Sequence, residues 1–463
     1  GHDLIASSKT GSGKTLAFII PALQRLSKNR PLSKRDPRVV ILTPTRELAK
    51  QVFSQLRLFT ANTQFKAVLI LGGENFNDQV KVLAKEPEFI VATPGRLADH
   101  LTQGHFYLHG LELLILDEAD RMLDLGFSKE NWNTFAELGW LGISLSEESG
   151  GFGGSALETM IIMEEFGKAL VVEPFLETIV LSAGLIDSCG NKNQKKEILE
   201  KVILGKMHLA LAFAEPQSRF NLSDVTTEAK QDGNFYILNG YKSVVMNGPS
   251  ADMLIIPART SGNLRDENGI SLFLVDSKSS GISSRHYSTV DGRKASEISL
   301  ENVKVDSDFL LGKKEQGYEE LEKAIDLATL AICGEAVGAM EVLYKTTVEY
   351  TKTRKQFGQA IGKFQVLQHR MVDMFMEYEQ SKSLLLMATI KKVEDAQDSK
   401  KSISGLKYQV GKASKFIGQQ SVQLHGGMGV TDELNVGHFF KRLTTISTIF
   451  GNMDYHLKRY SQL

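Results

Sequence analysis

Residues 113–130 read LLILDEADRMLDLGFSKE, and residues 131–154 read NWNTFAELGWLGISLSEESGGFGG. The first piece is a short apolar run that delivers two adjacent acids, Asp117 and Glu118, at its end. That is the pattern of a buried strand with polar chemistry at its carboxyl edge. The second piece opens helical stretches around a glycine-rich loop at 149–154 and shares nothing of that rhythm. The two patterns meet without a linker, and neither looks complete at the join. The expectation is two truncated modules, 1–130 and 131–463, whose functions are argued separately.

A chain of 463 residues suits two or more domains. With 42% hydrophobic residues, 24% charged residues and a net charge of −1, the composition is that of an ordinary globular protein. The charge is divided too evenly between the modules to argue nucleic-acid binding by itself. Cys189 and Cys333 cannot make a disulfide framework, so a reducing, cytoplasmic setting is expected. No apolar run reads as membrane-spanning, and no membrane partner is expected. Gly1-His2-Asp3 shows neither a signal pattern nor an initiator Met, as expected of a chain that starts inside a fold.

In the first module, a strand candidate at 3–7 runs into Ser8-Lys9-Thr10-Gly11-Ser12-Gly13-Lys14-Thr15 and then a helical stretch, 16–26. Strand, glycine-rich loop and helix are the context of a phosphate cradle. Glycines let backbone N–H groups curl around phosphate oxygens, and the helix N-terminus adds positive potential. Lys14 would reach the outer phosphates and Thr15 would hold Mg²⁺. Further strands, Val39–Leu42, Phe89–Ala92 and Leu113–Leu116, deliver Thr43-Pro44-Thr45-Arg46-Glu47-Leu48-Ala49, Thr93-Pro94-Gly95-Arg96 and Asp117-Glu118-Ala119-Asp120. An acid pair at a strand end can hold Mg²⁺ through water (Asp117) and activate an attacking water (Glu118).

KTGSGKT, PTRELA, the Gly72-Gly73 pair, TPGR and DEAD stand in the order and spacing of a DEAD-box RNA helicase, and the segment resembles that family's first RecA-like lobe. The resemblance implies an α/β fold and ATP with Mg²⁺ at Gly11, Gly13, Lys14, Thr15, Asp117 and Glu118. It also implies that Thr45, Arg46, Gly73, Thr93 and Arg96 track an RNA backbone without reading sequence. The departures are substantial. Ser8 stands for the first glycine, and the adenine-reading segment, the Ser-Ala-Thr motif and the second lobe are missing. Loss of the Ser-Ala-Thr strand would leave a gap in the sheet. The expectation is no helicase activity, and at best weak ATP and RNA binding.

The second module alternates textures. Helical periodicity covers 157–166, 179–185 and 197–204; short β-rich runs at 209–214, 234–238, 253–258, 270–275 and 298–300 follow, punctuated by Gly and Asn; long helical patterns return from 318 onward. The expected domains are a helical domain at 131–206, a β domain at 207–314 and a helical bundle at 315–463. Ala214-Glu215-Pro216, Asn239-Gly240-Tyr241-Lys242, Asn247-Gly248, YTKTRKQFGQAIGKFQ at 350–365 and QLHGGMGVT at 423–431 carry a resemblance to the acyl-CoA dehydrogenase family. It covers nearly the whole module, lacking about the first helix.

That resemblance implies FAD held by Arg354, Gln356, Phe357, Gln423, Gly426 and Gly427, with two sets of residues coming from different subunits. The residue chemistry agrees. Arg354 can neutralise a pyrophosphate through paired hydrogen bonds, and Phe357 offers an apolar wall. Gly426 and Gly427 allow close backbone approach, and Gln423 can hydrogen-bond. For His425 a structural role is the expectation. The family's reaction uses a Glu base on an acyl-CoA α-proton while the β-hydride passes to flavin. Here Gly451 and Ala328 occupy the two usual base positions, which leaves the catalytic base unknown. Glu335, two turns beyond Ala328, and Asp454 are the substitute candidates, each with a structural carboxylate as the alternative. Val244 and Met246 stand for the usual Trp and Thr, and Phe220 falls near the usual Ser. These departures resemble the branch of pimeloyl-CoA dehydrogenase small subunits. They imply a homodimer, a tetramer or a heteromer with a paralogous subunit, acting on an acyl-CoA or only completing a partner's FAD site. Restoring Glu at Gly451 would then separate a missing base from a purely structural subunit.

Overall fold

Val39–Leu42 (VVIL) and Phe89–Ala92 (FIVA) carry no polar side chain, and strands of that kind are covered on both faces. The computed structural model describes residues 14–28, 36–43, 46–72, 74–116, 127–431 and 434–463. The chain divides into two units, Gly1–Asp124 and Leu125–Leu463. In the first, α1 (Lys14–Lys28), β1 (Val39–Leu42), α2 (Arg46–Thr60), β2 (Ala67–Ile70), α3 (Phe76–Leu83), β3 (Phe89–Ala92), α4 (Pro94–Thr102) and β4 (Leu113–Leu116) alternate. Such alternation lets each helix return the chain for parallel pairing. The sheet is parallel, in the order β2-β3-β1-β4. β3 is buried throughout, whereas Leu114 of β4 is 51% exposed. Strand β2 was not expected from the sequence; the candidate at 3–7 lies outside the described residues.

The second unit begins with α5 (Lys129–Glu137), whose Trp132 packs against Phe127 and Phe135. Ser155 and Glu158 form a capping box that starts α6 (Ala156–Ala169). The expected helix at 179–185 is a wider π-helical run, Leu176–Ala183, leading into α7 (Gly184–Cys189). The β domain holds β5 (Leu209–Leu211), β6 (Glu228–Asp232), β7 (Phe235–Met246), β8 (Met253–Arg259), β9 (Ile270–Asp276), β10 (Ile282–Ser288), β11 (Lys294–Asp306) and β12 (Leu310–Leu311). Their order is β10-β11-β7-β6-β8-β9-β12, with β5 on β8. Strands β6 (EAKQD) and β10 (ISSRHYS) are largely exposed and polar, which hid them from an apolar pattern search.

The bundle consists of α8 (Gly317–Thr353), a hairpin of β13 (Lys355–Gln356) and β14 (Gln359–Ala360), then α9 (Gln365–Val393), α10 (Ser399–His425), α11 (Asn435–Ile446) and α12 (Met453–Gln462). Helix α8 is apolar enough over eighteen residues to suit a membrane, with mean hydropathy 1.5, yet 78% of that window is buried. Glycine permits its contact with α6. A Cβ on Gly338 would lie 1.9 Å from the Glu164 carbonyl oxygen, and one on Gly167 would lie 1.9 Å from that of Glu335.

Candidate functional site

Where α8 stops, the Arg354 N–H donates to the Tyr350 carbonyl at 2.8 Å and the chain turns into the β13–β14 hairpin. Phe357 and Gly358 at its tip have φ of 51° and 79°, the left-handed pair of a two-residue turn. Arg354, Gln356 and Phe357 are exposed, Phe357 at 92%. Helix α10 ends beside this hairpin, because Tyr350 stacks on His425 with ring centroids 4.2 Å apart. His425 is buried, its Nδ1–H donates to the Ser421 carbonyl at 2.8 Å, and burial pushes its pKa down, the behaviour of a structural histidine. Gln423, Gly426 and Gly427 follow on the surface, and a Cβ on either glycine would meet nothing within 4 Å. One chain thus presents both sets of expected FAD residues side by side. This open corner fits the anionic and adenine ends of such a cofactor: a guanidinium, an amide, and backbone with room for close approach.

The corner around Gly451 is closed. Gly451 has φ of 120°, and a Cβ there would lie 2.4 Å from Tyr455 Cδ1 and 2.7 Å from His456 Nε2. The buried His456 donates Nε2–H to the Phe450 carbonyl at 3.0 Å; burial, then repulsion from Lys407, pulls its pKa down to about 3. Lys407, itself buried and lowered to about 8 by that burial, donates to the carbonyls of Ile446 and Gly451 at 2.7 and 3.1 Å. Phe450 approaches Phe213 at 6.2 Å and Tyr455 approaches Phe220 at 5.4 Å. Val244, Met246 and Phe220, which the resemblance places toward a flavin ring, carry no side-chain hydrogen-bond donor. A glutamate therefore does not fit at Gly451, and the restoring substitution suggested by the sequence meets ring atoms.

The other base candidates have different fates. Ala328 is fully buried on α8. Glu335 is buried and accepts from Arg442 at 2.6 and 2.7 Å and from Arg293 at 3.0 Å. Burial raises its pKa, but the two arginines outweigh burial and hold it below the ordinary carboxylate value. Arg442 also pairs with Asp291 at 2.7 Å, so the network joins α8, α11 and the β domain. Asp454 is exposed in the first turn of α12.

Beside the closed corner lies a cleft of about 570 Å³ that sequence reasoning missed. Its floor holds Ile325, Asp326, Thr329 and His456, all buried. Arg459 grips Asp326 with two hydrogen bonds of 2.7 and 2.9 Å and reaches Glu322 at 3.2 Å. Arg219 and Lys458 are exposed at the mouth. Arg219, Val244 and Phe450 all have φ near 50–58°, each a strain of about 1–3 kcal/mol that tends to collect at functional sites. An acid within the apolar face of 324–343 was the available signal for Asp326.

In the first unit, Lys14 opens α1, which also carries Thr15; Arg46 starts α2, and Thr93 precedes α4. Arg96 donates to the Glu74 carbonyl at 3.1 Å and lies over the Phe76 ring at 5.1 Å. Gly11, Gly13, Thr45, Gly73, Asp117 and Glu118 lie outside the described residues.

Comparison with known proteins reads the second unit clearly. Models of the N-terminal, middle and C-terminal domains of acyl-CoA dehydrogenase match residues 115–206, 210–303 and 315–462. The caffeyl-CoA reductase–Etf complex subunit CarC of Acetobacterium woodii is 30% identical over 71% of this chain and 86% of its own. The chain belongs to the acyl-CoA dehydrogenase family. Among solved family structures, butyryl-CoA dehydrogenase of Megasphaera elsdenii superposes with a TM-score of 0.68 at 26% identity, covering 73% of this chain and 90% of that one. The FAD complex of PigA gives 0.70 at 25% identity, covering 74% and 91%. A model of the DEAD/DEAH box helicase matches residues 1–144, overlapping the dehydrogenase match, and the parallel sheet agrees with an α/β lobe.

Proposed function

We propose that this chain is a subunit of a FAD-dependent acyl-CoA dehydrogenase, of the kind related to pimeloyl-CoA dehydrogenase small subunits. It completes a flavin site shared with a paralogous partner that supplies the base. The observation that carries this reading is the contrast at Gly451. The usual base position is filled by Tyr455 and His456, while Arg354, Gln356, Phe357, Gln423, Gly426 and Gly427 stand exposed for a cofactor. When bound, the flavin would accept the hydride of an α,β-dehydrogenation. Arg354 would pair with the diphosphate, and the two glycines would let backbone approach it. Neither Glu335, held by two arginines, nor the exposed Asp454 is our base. Val372, Phe375, Met376, Leu386, Ile390 and Val393 of α9 form an exposed apolar series that suits a subunit contact. CarC, by its name a subunit of a reductase complex, supports working with a partner. For the first unit we propose no unwinding of RNA.

The test is co-production with a paralogous dehydrogenase subunit, reading flavin absorbance and acyl-CoA oxidation with an artificial electron acceptor. A yellow complex, active only when both chains are present, is expected. A colourless complex after mild purification would overturn the reading.

A further inference from the structure

We infer that the cleft beside Gly451 takes the acyl end of a thioester that carries a ring with a polar oxygen, not a long alkyl chain. This rests on the acyl-thioester reading above and adds the substrate class. The cleft, at about 570 Å³, is of the size that encloses a small organic ligand. Phe220, Tyr318, Phe450 and Tyr455 line it, and aromatic walls gain most from a flat ring set edge-to-face or offset against them. Among the described residues neither the Tyr318 nor the Tyr455 hydroxyl has a hydrogen-bond partner. Burial pushes both phenols up, so each remains a donor.

The floor decides against an alkyl tail. Asp326, Arg459 and Glu322 form a charged network there, with Lys400 holding Glu322 from behind at 2.5 Å. An alkyl chain reaching that depth would strip water from these groups and give them no bond in return. A hydroxyl or carbonyl oxygen can accept from a tyrosine, and a hydroxyl can also donate to a carboxylate, while the ring rests on the aromatic walls. The mouth, with Arg219 and Lys458 exposed, leaves the thioester's phosphate-bearing end in solvent beside two cations.

Titration calorimetry of the full chain with 4-hydroxycinnamoyl-CoA, octanoyl-CoA and CoA alone tests this. The hydroxycinnamoyl thioester is expected to bind at least about tenfold tighter than octanoyl-CoA, the worth of one or two hydrogen bonds. Octanoyl-CoA binding as tightly or more tightly would overturn the substrate class and leave the acyl-thioester reading standing. Failure of both thioesters to bind better than CoA alone would remove that reading and this inference together. The pair Tyr318→Phe and Tyr455→Phe keeps the walls and removes only the hydroxyls. It is expected to erase most of the preference; an unchanged preference would overturn the role of the hydroxyls.

Discussion

The two corners of the bundle differ in what a neighbour would find there. At the end of α8, the β13–β14 hairpin and the Gly426–Gly427 backbone face open space, and Phe357 is almost fully exposed. At the start of α12, Gly451 is walled in by Tyr455 and His456, and its carbonyl is pinned by Lys407. An exposed surface of arginine, amide and glycine costs folding little and suits recognition. A buried corner of rings and neutral histidine suits packing. The difference teaches that one fold can hold an open polar surface at one end of a helix and a sealed, ring-lined corner elsewhere.

The largest effect is expected from the buried network that joins α8, α11 and the β domain. Glu335→Ala leaves Arg442 and Arg293 short of a buried partner and should destabilise the second unit by about 3–5 kcal/mol in chemical denaturation. A loss below about 1 kcal/mol would mean that the network does not anchor α11. Next, Gly451→Glu should lower stability by about 3 kcal/mol through overpacking and its positive φ, with no gain of dehydrogenation. Gain of acyl-CoA oxidation would break the comparison outright.

His456 sharpens it through pH. Its folded value of about 3 lies below the ordinary 6.5, so the unfolded chain takes up a proton first as the pH falls. The stability from keeping it neutral is present above about pH 6.5 and lost as pH falls toward 3, on the order of 3 kcal/mol by pH 4.5. Melting curves of His456→Leu between pH 4.5 and 7 should be flatter than those of the parent by that amount. On the open side, Arg354→Ala should leave the melting temperature unchanged and cut flavin retention in the partnered complex about tenfold, the scale of one charge-assisted contact. A fall in stability with flavin retained would make Arg354 a packing residue. The smallest effect belongs to the first unit: RNA should leave the ATP hydrolysis rate of the purified chain unchanged.

Much of this was legible in sequence because it was local. Val39–Leu42, Phe89–Ala92 and Leu113–Leu116 declare themselves by unbroken apolar runs, and the open corner by contiguous motifs around Arg354 and Gly426. Ala67–Ile70 has the same composition but is mostly half-buried and follows a polar stretch, so it stood out less. The closed corner was marked in the sequence only by Gly451, where the resemblance led one to expect a glutamate. What fills it comes from distant segments: Phe213 against Phe450, Phe220 against Tyr455, and Arg459 on Asp326 across 133 positions. No period or motif encodes such pairings, since each partner is ordinary in its own stretch. The fit of His456 under Gly451 depends on a left-handed backbone that composition does not announce.

Helix α8 carries one last consequence. Asp326 sits near one end and Arg354 follows the other, which puts them about 42 Å apart along the axis at 1.5 Å per residue. The rod keeps the cleft and the β13–β14 hairpin of one molecule from ever meeting. Damage to the two ends should therefore behave genetically as two separable functions. In a complex that holds two copies of this chain beside its partner, a variant ruined at the cleft and another ruined at the hairpin should each be inert alone and rescue each other when all are produced together. One of the two composite sites would then be assembled from undamaged ends.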